Sequence, residues 1–235
     1  MDWDNFDAAL LDLDGVITPT AEVHMRAWER MFAVFLADRG TAPYTDDDYF
    51  LHLDGKPRYD GVQALLHSRG IDLPWGLPTD PPTAATVCGL GNRKDHAFNE
   101  ALTVEGIAPY PASVRFLDFL DARGIGKAVV SSSKNARVVL TAAGIVDRFP
   151  VIVDGLVAVD RKLPGKPAPD TFLYAAEQLG TLPGRALVLE DAISGVRAGA
   201  AGGFGLVVGV DRGTGAEALR AAGAQHVVHE LDELI

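Results

Sequence analysis

Short, nearly unbroken apolar runs return along this chain with helix-like segments between them, and that alternation restricts the folds open to it. "FDAALLDL" comes first, and "GKAVV", "PVIVDG", "RALVLE" and "GLVVGV" follow in the C-terminal half. Between them lie "NARVVLTAAG", "DTFLYAAEQLG" and "AISGVRAGAAG". Asp170 is expected as an N-cap, with Gly144 and Gly180 as C-terminal stops. Strands apolar on both faces belong in a parallel sheet covered by helices on either side. The expectation is therefore an α/β fold with a doubly wound, Rossmann-like core. Between the first run and the others the character changes. Trp28, Met31, Phe32, Phe35 and Leu36, then Val62, Leu65 and Leu66, recur at helical spacing, and "DLPWGLPTDPPTAATVCGLGN" reads as a loop. The chain thus divides into an α/β core, residues 1–18 and 104–235, and a small helical insert after the first strand, residues 19–103.

A formal net charge of −11 over 235 residues argues against nucleic acid or an anionic membrane as partner. One cysteine, Cys88, allows no internal disulfide. No signal-peptide pattern and no apolar run of membrane-spanning length is visible. A soluble, cytoplasmic protein is expected.

The unusual polar clusters fall at the ends of apolar runs or in loops before helices. Asp12 and Asp14 close the first run, "SSSKN" (Ser131 to Asn135) follows "GKAVV", Lys166 sits in "LPGKPAPD", and Glu190 and Asp191 follow "RALVL". In an open parallel sheet the C-terminal strand ends share one edge, where ligands bind. Four carboxylates gathered there repel one another, and a hard cation such as Mg²⁺, which takes oxygen ligands, resolves the repulsion. Lys166 and serine hydroxyls beside a helix start then suit a phosphate dianion. A carboxylate facing phosphorus can act as nucleophile and give an aspartyl phosphate. A second carboxylate two residues on can face the same pocket and carry the proton.

"DLDGVITPTAEVH", "SSSKN", "GKPAPD" and "EDAISGV" together resemble, in order, the four motifs of the haloacid-dehalogenase-like superfamily, with flanking residues closest to its β-phosphoglucomutase-like branch. The resemblance implies Asp12 as nucleophile and Asp14 as general acid/base. It implies Ser131, Ser132, Asn135 and Lys166 as phosphate-binding groups. Asp12, the Asp14 carbonyl, Glu190 and Asp191 would hold Mg²⁺. The insert becomes a cap domain, with Arg58 and Lys56 on a phosphate that is not transferred, Lys94 on the sugar and His24 in the linker helix. The implied activity is phosphoryl transfer on a small sugar phosphate, first as an isomerase interconverting β-glucose 1-phosphate and glucose 6-phosphate through a sugar bisphosphate. A small-metabolite phosphatase is the alternative, and a non-catalytic sugar-phosphate sensor a remote one. The chain departs from the family pattern at Pro19 and Asp54, and in the long segment around Trp75 to Pro82.

Three other features read more plainly. "TDDDYF" is a helix start with acidic residues placed for the dipole. His226 and His229 fall on opposite faces of a strand and form no metal site. Gly199, Gly202, Gly203 and Gly205 precede a strand where a dinucleotide fingerprint should follow one.

Overall fold

The structure is a computed structural model that describes residues 2–235, the side chain of Glu105 excepted. Six parallel strands form one sheet: β1 (Ala8–Leu11), β2 (Gly126–Val130), β3 (Val151–Val153), β4 (Ala186–Glu190), β5 (Leu206–Val210) and β6 (His226–Val228). Their order is β3-β2-β1-β4-β5-β6. β1 is central and fully buried, with Leu10 opposite Ala128 on one side and Val188 on the other. Its four apolar residues suit a strand covered on both faces. The chain winds outward from β1 in one direction through β2 and β3, and from β4 in the other through β5 and β6. The reversal falls between β1 and β4, and at such a switch point the loops leaving adjacent strands diverge and open a crevice.

The helices are α1 (Thr20–Ala37), α2 (Asp46–Asp48, continued by a π-helical turn Tyr49–Leu53), α3 (Arg58–Ser68), α4 (Val87–Glu105), α5 (Pro111–Arg123), α6 (Ala136–Ala142), α7 (Gly155–Arg161), α8 (Asp170–Gln178), α9 (Ile193–Ala201) and α10 (Ala216–Ala222). Chain contacts divide them into two units, one ending at Thr20 and resuming over Ile107–Ile235, the other Ala21–Gly106. No helix among the described residues is long and apolar enough to cross a membrane.

In the larger unit Phe172, Ala175 and Ala176 of α8 pack with Leu10, Ala128 and Val188 from three adjacent strands. α8 begins one residue off expectation. Pro169 holds the N-cap place and Asp170 is the first helical residue, where its charge still meets the positive end of the dipole. Gly144 and Gly180 follow their helices with φ of 70° and 68°, a conformation glycine adopts without a Cβ penalty. The Asp154 side chain caps α7 by accepting from the N–H groups of Leu156 and Val157, at 3.0 and 2.9 Å. On either side of the insertion the chain is tied together. The Tyr110 N–H donates to the Ile17 carbonyl at 2.9 Å, and the Ser113 hydroxyl to the Val16 carbonyl at 2.7 Å.

The smaller unit is helical, with no strand among its described residues. Trp28, Phe32, Phe35 and Leu36 of α1 pack with Val62, Leu65 and Leu66 of α3 and Val87 and Leu90 of α4. α2 opens with a capping box between Thr45 and Asp48, and Asp48 also accepts from Arg69 at 2.6 Å. The expected loop is only partly one. Residues 72–86 form no helix or strand, but Val87 to Asn92 are already the first turns of α4, despite the glycines at 89 and 91. Val87 and Cys88 donate to the carbonyls of Pro74 and Trp75, and Asp80 accepts from the hydroxyl of Thr86, which caps α4.

Candidate active site

Lys166 is the hub at the C-terminal edge of the sheet. Its ammonium donates to Asp12 Oδ1 at 2.5 Å, to Glu190 Oε1 at 2.5 Å and to the Val130 carbonyl at 2.9 Å. Those partners leave β1, end β4 and end β2, so one cation ties three strand ends. The Phe172 ring lies beneath it, 5.0 Å away. Glu190 is fully buried, and its second oxygen accepts from the Ala192 N–H at 2.9 Å. Gly195 makes room for this carboxylate, since a Cβ there would stand 1.7 Å from Oε1.

Burial pushes the Asp12 carboxyl well above the usual carboxylate range; Glu190 and Asp14 push the same way, and Lys166 pulls against them. Burial works to lower the Lys166 ammonium, but Asp12 and Glu190 overturn it and raise it above its ordinary value. The lysine is thus a fixed positive charge, outnumbered by the carboxylates around it.

Asp14 is set by the turn after β1. The Gly15 N–H donates to the Thr18 carbonyl at 2.8 Å, folding the chain back on itself. The Thr20 hydroxyl then bonds Asp14 Oδ1, and Thr18 bonds Thr20 at 2.8 Å. Both threonines are buried, so these hydroxyls find partners within the turn. Gly15 has φ +85°, and a Cβ on it would stand 1.9 Å from Asp191 Oδ2. The Asp191 carboxylate therefore lies directly against the Asp14–Gly15 backbone. Asp191 is not the cap of α9; Ala192 holds that position.

Ser131 is buried where β2 ends, its N–H donating to Val153 and its oxygen accepting from Ser133 N–H at 3.0 Å. Ser132 is next in this turn, and Asn135 sits at the start of α6 with its N–H on the Ser133 hydroxyl, 3.1 Å away.

Sequence reasoning passed over four residues of this site. Thr18 and Thr20 orient Asp14. Arg212 donates from Nε to the Gly15 carbonyl at 2.9 Å and pairs with Glu230, and the Thr214 hydroxyl donates to the Asp191 carbonyl at 3.0 Å. The threonines stood within "DLDGVITPTAEVH"; Arg212 and Thr214 carry no local signal.

Within the smaller unit, Lys94 is buried against the rings of Trp28 and Phe98, 4.9 and 5.0 Å from their centroids, and bonds His24 Nδ1. The His24 ring stacks on Phe98 at 4.0 Å. Arg58 NH1 bonds Asp95 Oδ1, on the residue after Lys94, at 2.7 Å. Lys56 donates to the Leu51 carbonyl at 3.4 Å and interacts electrostatically with Asp60.

Comparison with known proteins accords with this geometry. A β-phosphoglucomutase of Mycobacterium bovis is 48% identical over 97% of this chain and 91% of its own length. A fructose-1-phosphate phosphatase of Escherichia coli is 27% identical over 87% of this chain and 97% of its own. The crystal structure of a β-phosphoglucomutase from Clostridium difficile superposes with a TM-score of 0.78, covering 98% of this chain and 93% of that one at 24% identity, a likeness of fold. The haloacid dehalogenase-like hydrolase model matches residues 6–203. This chain is an enzyme that belongs to that family.

Proposed function

We propose that this protein is a Mg²⁺-dependent β-phosphoglucomutase, interconverting β-glucose 1-phosphate and glucose 6-phosphate. The observation that carries the reading is the meeting of Asp12, Glu190 and the end of β2 on one buried lysine, with Asp14 two residues from Asp12. Identity of 48% to a β-phosphoglucomutase supports the substrate.

An Asp12 carboxylate oxygen attacks phosphorus, and the bond from phosphorus to the sugar oxygen breaks. Asp14, oriented by Thr20, gives a proton to that leaving oxygen, and removes one from the attacking hydroxyl when the phosphoryl group returns. Lys166, Ser131, Ser132 and Asn135 bind the transferring group, and Lys166 offsets its charge. A glucose bisphosphate links the two half-reactions. Arg58, with Lys56, receives the phosphate that is not transferred, and Lys94 and His24 serve the sugar.

The donor set fits a hard cation. Carboxylates exceed ammonium charge around Lys166, and Asp191 is seated on the turn that carries the Asp14 carbonyl. Among the described residues no three acidic, histidine or cysteine side chains form a ready cage, and Mg²⁺ requires none, since it keeps waters and substrate oxygens. Asp12, the Asp14 carbonyl and Asp191 would hold it, with Glu190, already bonded to Lys166 and Ala192, supporting. When bound, it shields the carboxylate nucleophile from the phosphate it attacks.

The test supplies β-glucose 1-phosphate, Mg²⁺ and a trace of β-glucose 1,6-bisphosphate, and measures glucose 6-phosphate and inorganic phosphate together. Isomer without phosphate release is expected. Phosphate release alone would make the protein a hydrolase like its Escherichia coli relative. Gly15→Ala is expected to raise the Mg²⁺ concentration for half-maximal activity by about 10-fold or more, because its Cβ displaces Asp191. An unchanged Mg²⁺ titration would remove Asp191 from the cation site.

A further inference from the structure

Arg58 opens α3 with an unusually complete set of supports, all within the smaller unit. Asp95 accepts from NH1, and the Tyr59 hydroxyl accepts from NH2 at 2.9 Å. That hydroxyl donates to Asn92 Oδ1, also at 2.9 Å. The Asn92 amide group donates in turn to the carbonyls of Pro78 and Asp80, at 3.0 and 2.8 Å. Two carbonyls fix the nitrogen side of that amide, so its oxygen faces Tyr59 as the nearer acceptor, with the Pro78 carbonyl a more distant one at 3.5 Å. Backbone space is reserved as well, since a Cβ on Gly91 would stand 2.7 Å from the Tyr59 ring and 3.3 Å from Arg58 Cγ. The Tyr59 ring also meets Trp75 edge-on at 6.3 Å. Arg58 Nε lies out of water with no acceptor among the described residues. A donor so placed costs free energy until an acceptor arrives.

We propose that Tyr59 and Asn92 are positioning residues for Arg58, and that residues 74–86 act through them to select substrates carrying a second phosphate. A guanidinium recognises phosphate by a planar fork, so its orientation decides the grip. Asp95 and the Tyr59 hydroxyl fix two corners of that plane. The long proline-rich segment supplies the backbone carbonyls on which the orientation finally rests. The proposal rests on Arg58 as the residue that grips the phosphate not being transferred.

The experiment uses the whole chain with Mg²⁺ and two probes, β-glucose 1,6-bisphosphate and p-nitrophenyl phosphate, which carries one phosphate only. Tyr59→Phe keeps the ring and removes the hydroxyl. It is expected to raise the half-saturating bisphosphate concentration about 5- to 20-fold, the scale of one misaligned charge-assisted hydrogen bond, while p-nitrophenyl phosphate hydrolysis stays at the parent rate. Asn92→Ala should act in the same direction. Arg58→Ala should raise the half-saturating concentration further, and adding Tyr59→Phe to it should change nothing more. A parent-like value in Tyr59→Phe and Asn92→Ala beside a raised one in Arg58→Ala would overturn this proposal alone. Loss of p-nitrophenyl phosphate hydrolysis in step with bisphosphate use in Tyr59→Phe would overturn it too, since only the fold would then be at stake. A parent-like value in Arg58→Ala itself would remove the role given to Arg58, and the proposal with it.

Discussion

Asp12→Asn is expected to lower turnover by about 10⁴-fold or more, with the protein still folded. The amide matches the carboxylate in size but offers no anionic oxygen to attack phosphorus. Folding should survive for a reason visible in the site. Burial, Glu190 and Asp14 all work against a charge at position 12, so a neutral side chain there relieves repulsion, and Lys166 keeps Glu190 and the Val130 carbonyl. Quenched-flow trapping with β-glucose 1,6-bisphosphate followed by peptide mass measurement should place an acid-stable, hydroxylamine-labile phosphate on Asp12 in the parent protein and none in the variant. Near-parent turnover in Asp12→Asn would end the nucleophile assignment.

The second large effect is on stability. Lys166→Met should destabilise the cation-free protein by about 3–5 kcal/mol, because it strands two buried carboxylates that share one ammonium. The methionine itself fits, since it keeps the stem over Phe172. The cost is electrostatic, and the double variant Lys166→Met/Glu190→Gln should recover a substantial part of it, a coupling visible in urea unfolding of the single and double variants. A loss below about 1 kcal/mol in Lys166→Met would mean that the carboxylates are satisfied from elsewhere, and the hub role would fall.

The parallel sheet could be read from the sequence because β1 to β5 are short apolar runs, each ended by a polar residue at the open edge. β6, at the sheet's rim with His226 exposed, is the exception. Asp12 and Glu190 stood out because charges abutting apolar runs have few structural uses, while Lys166 stood out in a proline-stiffened loop before a helix. Other parts depended on geometry that no local pattern encodes. α7 carries exposed Leu156 and Val159 and so lacks a clean apolar stripe; its start rests on Asp154, whose capping role appears only once two N–H groups are seen on its oxygen. Asp170 was one residue off as a cap because Pro169 before it already lies in the right-handed helical region. Arg212 reaches Gly15 across 197 positions of sequence, beyond any motif's span. Asp14 was legible as a carboxylate, but the two threonines that aim it acquire that function only through the turn at Gly15.

The ties between Ile17 and Tyr110, and between Val16 and Ser113, have a consequence for how such an enzyme can diversify. They pin the two junctions of the insertion to each other, so the larger unit sees the intervening stretch as a closed loop whose length matters only logarithmically. A different helical module can be grafted between those junctions for a modest entropic penalty, while the strand-edge chemistry stays untouched. New specificities can thus arise by exchange of the graft, with the reaction inherited whole.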